Sequence, residues 1–305
     1  MNPDNMEGAL WFLRRYDAFG RLLWRRTAPS WRDGGATRIS DLAVGGGIIA
    51  VAGTDFGCCG DPHRDGWVRA YGPDGTFLWT NRFEFPGVAP ALFDEAQSVA
   101  VGALGRVFVA GWANLETTRS DAERLPRTIV VQKLGPTGGN VWTWTMRAHA
   151  AWGRVDVAGL SARGDELMVA ARLGEQVTPT YRSNGRSWLA RLSFGGDLIW
   201  ERTWGDDPGA AVEPTEIAID RNGIVYLSGS ARDAADERMK AFIRAYRPTG
   251  RLLWFSTASG GDESMVGAHI AASKNGLVIT GTLLAGRWDD RERGGHVWVF
   301  EGSGP

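Results

Sequence analysis

The pentapeptide Gly20-Arg21-Leu22-Leu23-Trp24, GRLLW, recurs unchanged as Gly250-Arg251-Leu252-Leu253-Trp254. Loosening it to a glycine followed four residues later by tryptophan, with apolar residues between, adds Gly75/Trp79, Gly138/Trp142 and Gly196/Trp200. The five copies follow one another at spacings of 55, 63, 58 and 54 residues. A drifting period of this size marks a repeat architecture, in which each copy is one supersecondary unit that buries its faces against its neighbours.

Each copy lies in the second arm of a hairpin whose first arm alternates apolar and polar residues, as in Trp67-Val68-Arg69-Ala70-Tyr71 before the turn Gly72-Pro73-Asp74-Gly75. The other first arms are Phe12 to Tyr16, Val130 to Leu134, Trp188 to Leu192 and Phe242 to Tyr246. A second hairpin stands between successive copies, clearest in Ile217-Ala218-Ile219, the turn Asp220-Arg221-Asn222-Gly223, and Ile224-Val225-Tyr226-Leu227. Asn-Gly between β-branched runs is a strong hairpin signal because both residues tolerate positive φ. Its first arm carries a recurrent alanine, at Ala43, Ala100, Ala158, Ala218 and Ala271.

Four short antiparallel strands per repeat predict an all-β chain, a β-propeller of four-stranded blades. Outer strands packed between blades can be apolar on both sides, as Leu22, Leu23 and Trp24 are, while crowded innermost strands favour a small residue. The expected organisation is one domain over 1–305, with repeats at 40–84, 96–147, 154–205 and 212–258 and partial repeats at 9–27 and 264–301. A hairpin at Phe12 to Trp24 and another at Ile270 to Ile279 predict a five-bladed ring closed by pairing of the N- and C-terminal strands, which removes exposed sheet edges. Trp298-Val299-Phe300 competes with Phe12 to Tyr16 for the same place, which leaves three readings: an extra outer strand, strand exchange between chains, or a fragment of a longer array; the closed ring with an extra terminal strand is the one expected.

The stretch PTEIAIDRNGIVYLSGSARDAADERMKAFIRAYRPTGRLLW, ending at Trp254, resembles the bacterial repeat abbreviated SBBP, named for seven-bladed β-propellers. The resemblance runs from Asp41 to Trp254 in four copies, and the blade number departs from the family name. It implies a propeller and a secreted or surface-associated setting, and it implies no shared catalytic set.

A net charge of −1 and a pI near 6.5 leave no basic face for phosphate backbones, which argues against nucleic-acid partners. No segment reads as a membrane span. The basic residues of the first stretch follow its short apolar run, the reverse of a secretory signal, and this leaves the compartment open between export and cytoplasm. Only two cysteines are present and they are adjacent, so no disulfide framework holds the fold.

Functional candidates come from aligning the repeats on their alanines. The residue two positions earlier, on the same side of the strand, is Asp41, Ser98, Asp156, Glu216 and His269, all polar. Placed round the mouth of a central channel, these would either tune one another's pKa for acid–base chemistry or collect Ca²⁺ or Mg²⁺. Their bland reading is wet strand ends or bonding to neighbouring backbone. The stretch Asp55 to Asp65, DFGCCGDPHRD, offers Cys58, Cys59 and His63 as a strained vicinal disulfide, a metal site, a redox pair or two plain thiols. Trp31, Phe56, Tyr181 and Trp288 are aromatic candidates for stacking on a sugar or peptide, and Asp206, Asp207, Asp262 and Glu263 add charge to the same rim. Two functions follow. The first is a non-catalytic binding or scaffolding propeller that presents its long loops to a carbohydrate, peptide or protein partner. The second is a glycosidase-like hydrolase using Asp41, Asp156 and Glu216.

Overall fold

Every glycine that opens the repeated phrase sits in the left-handed region, with φ of +78 at Gly20, +80 at Gly75, +82 at Gly138, +97 at Gly196 and +79 at Gly250. Its N–H donates back three residues, to Asp17, Gly72, Gly135, Ser193 and Arg247 in turn. A bulge follows in each hairpin, as between Ala70 and Tyr71. A tight turn of this kind needs positive φ at one place, and glycine occupies it without steric cost. Gly75, Gly138 and Gly250 each lie under the tryptophan of the preceding copy of the phrase, where a Cβ would stand 2.9 Å from the Trp24 indole, 2.6 Å from Trp79 and 2.8 Å from Trp200.

The computed structural model describes residues 10–29, 36–57, 64–83, 93–114, 127–147, 154–164, 166–174, 185–205, 212–232, 239–258, 264–266, 269–273, 276–285 and 292–300. They form an all-β chain with five four-stranded antiparallel sheets, the meander blades of a β-propeller, in two compact units, Met1–Arg147 and Ala148–Pro305. Among the described residues no helix is long and apolar enough to cross a membrane.

The first unit holds a hairpin, β1 (Leu10–Tyr16) and β2 (Leu22–Pro29), and two blades. The first blade is β3 (Ala36–Gly45), β4 (Ile48–Phe56), β5 (Arg64–Tyr71) and β6 (Phe77–Arg82). The second is β7 (Asp94–Val101), β8 (Val107–Ala113), β9 (Thr128–Leu134) and β10 (Asn140–Arg147). Strands pair in sequence order within each blade. The blades bury one cluster in which Ala50, Val68, Ala96, Val109 and Val130 are all inaccessible. The hairpin joins through Trp11, whose ring stacks on Trp67 at 5.6 Å.

The second unit holds the third blade, β11 (Arg154–Arg163), β12 (Glu166–Gly174), β13 (Arg186–Ser193) and β14 (Leu198–Trp204). The fourth is β15 (Val212–Ile219), β16 (Val225–Arg232), β17 (Met239–Tyr246) and β18 (Leu252–Ala258), and the two share a core of Met168, Leu189, Leu227 and Phe242. The fifth sheet is built differently. Its inner strand is divided into β19 (Ser264–Val266) and β20 (Ile270–Ser273), both paired with β21 (Gly276–Ala285), and β22 (Glu292–Phe300) lines the other side of β21.

That last pairing decides which of the two competing segments lies beside β21. Trp298 lies opposite Ile279 and β22 follows β21 along its full length, so β22 holds the place reserved for Phe12 to Tyr16. The described strand partner of β1 is β2. The reason is local: a segment following β21 after a short connection pairs with little loop-closure entropy, and it takes that edge of β21 ahead of a distant strand.

One correction concerns the recurrent alanine. The first strand of each of the first four blades has a bulge opposite a small residue of the second strand: between Ile39 and Asp41, Ala96 and Ser98, Val157 and Gly159, and Pro214 and Glu216. On this frame Ala43, Ala100 and Ala218 are equivalent, but their counterpart in the third blade is Ser161, opposite Met168. Ala158 is the bulged residue itself, three positions away. The alanine alignment therefore slips in one blade, because a bulge inserts a residue that alternation alone does not reveal.

Candidate functional site

The row expected at a channel mouth is, where described, a set of staples between neighbouring blades. Asp41 Oδ2 accepts the Ser98 hydroxyl at 2.7 Å and the Val99 N–H at 2.9 Å, so one first strand is tied to the next. Glu216 Oε2 repeats the arrangement, 3.0 Å from His269 Nδ1 and accepting the Ile270 N–H at 3.0 Å. His269 is otherwise exposed, at 81% of its side chain. In the third blade this position belongs to Gly159, where a Cβ would stand 3.1 Å from the Ile217 nitrogen. The acceptor that would complete the same staple is missing there.

Asp156 lies three residues before Gly159 and belongs to a different row. Its structural equivalents are Arg38, Glu95 and Glu213, each paired with the residue that follows the small residue of the second strand. Arg172, opposite Asp156 on β12, donates to Asp156 Oδ2 at 2.8 Å and to Glu213 Oε1 at 3.0 Å. The three side chains are 29%, 19% and 37% exposed for Arg172, Asp156 and Glu213. Burial of the guanidinium works against its charge, but Asp156 and then Glu213 outweigh it and hold Arg172 above the ordinary arginine value.

These groups line a cavity of about 280 Å³ at the joint of the third and fourth blades, completed by Val157, Ala158, Pro214, Thr215 and Ser230. Ser230 is 3% exposed, and the Thr215 hydroxyl is buried without a partner among the described residues. A partly open polar cavity of this kind suits a small polar group, with one guanidinium and two carboxylates to orient it. Arg172, Glu213 and Ser230 were not reached by reading the sequence. Aligning the second strands on Gly53, Gly111, Ala171 and Gly229 brings out Arg172 and Ser230, since Thr54, Trp112, Arg172 and Ser230 then fall in one column; Glu213 is the residue that pairs with Ser230.

Of the other candidates, Phe56 is described: Arg38 and Arg64 both lie over its ring, at 5.5 and 5.6 Å. Cys58, Cys59, His63, Trp31, Tyr181, Trp288, Asp206, Asp207, Asp262 and Glu263 lie outside the described residues, with most of the long loops. Among the described residues no three His, Cys, Asp or Glu side chains converge in a way that would hold Ca²⁺, Mg²⁺ or another metal ion.

No protein-family model and no curated protein matches the chain. Among solved structures it is similar to the Hadza microbial sialidase Hz136 (11% identity, TM-score 0.45, covering 86% of this chain and 63% of that one). It is also similar to the β-propeller domain of the Trilobed protease from Pyrococcus furiosus (9%, TM-score 0.46, covering 88% and 69%). A third likeness is to the Trypanosoma rangeli sialidase in complex with sialic acid (11%, TM-score 0.49, covering 96% and 49%). The chain thus spans less than two thirds of either sialidase. No residue role is carried over at these values. The fold class stands on the strand order, and the residues above stand on their own geometry.

Proposed function

We propose that the chain is a non-catalytic binding propeller, and that the cavity of Asp156, Arg172 and Glu213 is one of its recognition sites, for a polar group of a carbohydrate or peptide partner. The observation that supports this reading is the way the hydrolase candidates are used. Asp41 and Glu216 accept hydrogen bonds from the next blade, and Asp156 is held by Arg172. Carboxylates engaged in this way tie strands together, and a general acid and base would instead face a substrate at hydrogen-bond distance. An SBBP-type origin for the repeats agrees with a scaffold that carries no fixed chemistry.

The reading is tested by a fluorogenic glycoside screen run beside glycan and peptide arrays. The expected result is no turnover, with array binding weakened when Ala158→Leu narrows the cavity. Turnover that disappears in Asp41→Asn, Asp156→Asn or Glu216→Gln would replace it with the hydrolase.

A further inference from the structure

The cavity of the third and fourth blades is lined by the bulged residues of both first strands, and those two residues decide what it offers. In the first four blades the bulged residues are Ser40, Gln97, Ala158 and Thr215. Ala158 is the shortest of them and carries no polar side-chain atom, so it leaves room in the cavity. Thr215 brings a hydroxyl that is buried without a partner among the described residues. A buried hydroxyl left unpaired is costly, and a ligand oxygen at hydrogen-bond distance relieves it.

The charged wall narrows the choice of ligand. Arg172 donates and cannot accept, whereas Asp156 and Glu213 as carboxylates accept and cannot donate. Two of the five N–H groups of the guanidinium are taken among the described residues, by Glu213 at 3.0 Å and Asp156 at 2.8 Å. One positive charge faces two negative ones, so the wall is negative in sum. An oxyanion can accept from Arg172, but it then stands against two carboxylates of like charge. An ammonium can donate to the carboxylates, but it cannot accept from Arg172 and stands against its charge. A hydroxyl does both at once, and a pair of adjacent hydroxyls reaches guanidinium and carboxylate together. Val157, Ala158 and Pro214 give the same cavity an apolar side, which suits the C–H face of a sugar ring.

We propose that this cavity takes a neutral sugar through adjacent hydroxyls and rejects acidic sugars. Arg172 donates to one hydroxyl, a carboxylate accepts from its neighbour, and the Thr215 hydroxyl meets a third oxygen. This rests on the reading of the cavity as a recognition site and adds the charge class of its ligand.

Calorimetric titration of the full chain tests this with three matched probes for each of glucose, galactose and mannose: the neutral methyl glycoside, the uronate and the 2-amino-2-deoxy sugar. At least one neutral glycoside is expected to bind about tenfold or more tighter than its uronate, because like charges brought together oppose binding. It should also bind tighter than its amino counterpart. Ala158→Leu should abolish the heat, which locates binding in the cavity. Thr215→Val should weaken the neutral sugar by about threefold to tenfold while its melting temperature holds or rises, since the lost hydroxyl has no partner in the free protein; a structural hydroxyl would lower it. Arg172→Met, shown to be folded by its melting curve, should turn the preference to the amino sugar. A wild type that prefers the uronate or the amino sugar, with the heat lost in Ala158→Leu, overturns the neutral preference and leaves the cavity a recognition site. Folded Thr215→Val and Arg172→Met variants that bind as wild type does overturn it as well. No heat with any probe, or an Ala158→Leu variant that binds like wild type, overturns both the preference and the site.

Discussion

The joint between the first two blades and the joint between the third and fourth share a glutamate at one position, Glu95 and Glu213, and surround it with opposite balances of charge. In the first unit Glu95 is gripped by two guanidinia, Arg38 at 2.6 Å and Arg64 at 3.0 Å, and Arg64 is covered by Phe56 and Phe93. In the second unit one guanidinium, Arg172, serves two carboxylates. The first joint also has its staple, Asp41 to Ser98 and Val99, where the second has Gly159. The joint that lacks the staple and carries the excess of carboxylates lines a cavity. The lesson is that a recognition site can arise in a repeat by leaving out a structural bond, with no new motif added.

The largest effect expected concerns the small residue facing the bulge. At Gly111 a Cβ would lie 1.8 Å from the Glu95 carbonyl oxygen, and at Gly229 it would lie 2.2 Å from that of Glu213. The third blade already carries Ala171 there. Gly111→Ala should therefore cost about 3 kcal/mol through overpacking, read by chemical denaturation, and Ala171→Gly should cost under about 1 kcal/mol. Equal costs would dissolve the distinction between the blades. Next, Arg172→Met leaves two facing carboxylates with nothing between them. It should destabilise by about 2 kcal/mol, discounted from a fully buried pair because the groups are partly exposed. Arg64→Met should cost less, about 1 kcal/mol or under, because Arg38 still holds Glu95.

The smallest effect is a pH dependence. The Tyr226 hydroxyl donates to Asp220 at 3.2 Å, and burial first, then the Asp220 charge and that bond, push the phenol up to about 12. The matching place on the second blade is Phe108, which has no hydroxyl. A phenol raised in the folded state and ordinary in the unfolded one contributes stability that is whole below the ordinary value of 10.0 and is lost as pH climbs to about 12. Stability measured across that window should fall less steeply in Tyr226→Phe, and an unchanged slope would remove the tyrosine from the account.

The strand plan was legible because the turn glycine and the tryptophan are both geometrically obligatory. One must take positive φ, and the other must cover a residue without a side chain. Neither can drift without breaking the hairpin or the contact to the next blade. The candidate site was less legible because its signal passes through a bulge. Asp156 looked equivalent to Asp41 and Glu216 only while alternation was counted without the extra residue at Ala158. Arg172 stood in plain sight on β12, but an arginine in one repeat opposite threonine, tryptophan and serine in the others reads as surface variation until its two carboxylate partners are located.

The tryptophan seated on the next glycine also bears on how such a chain changes length over generations. Each repeat brings both halves of its own fastening, the lid at one end of the strand and the seat at the other. Duplicating or deleting a whole repeat therefore restores a matching fastening at the splice, whatever the final number. Blade count can vary by recombination alone, without a single compensating substitution at the new boundary.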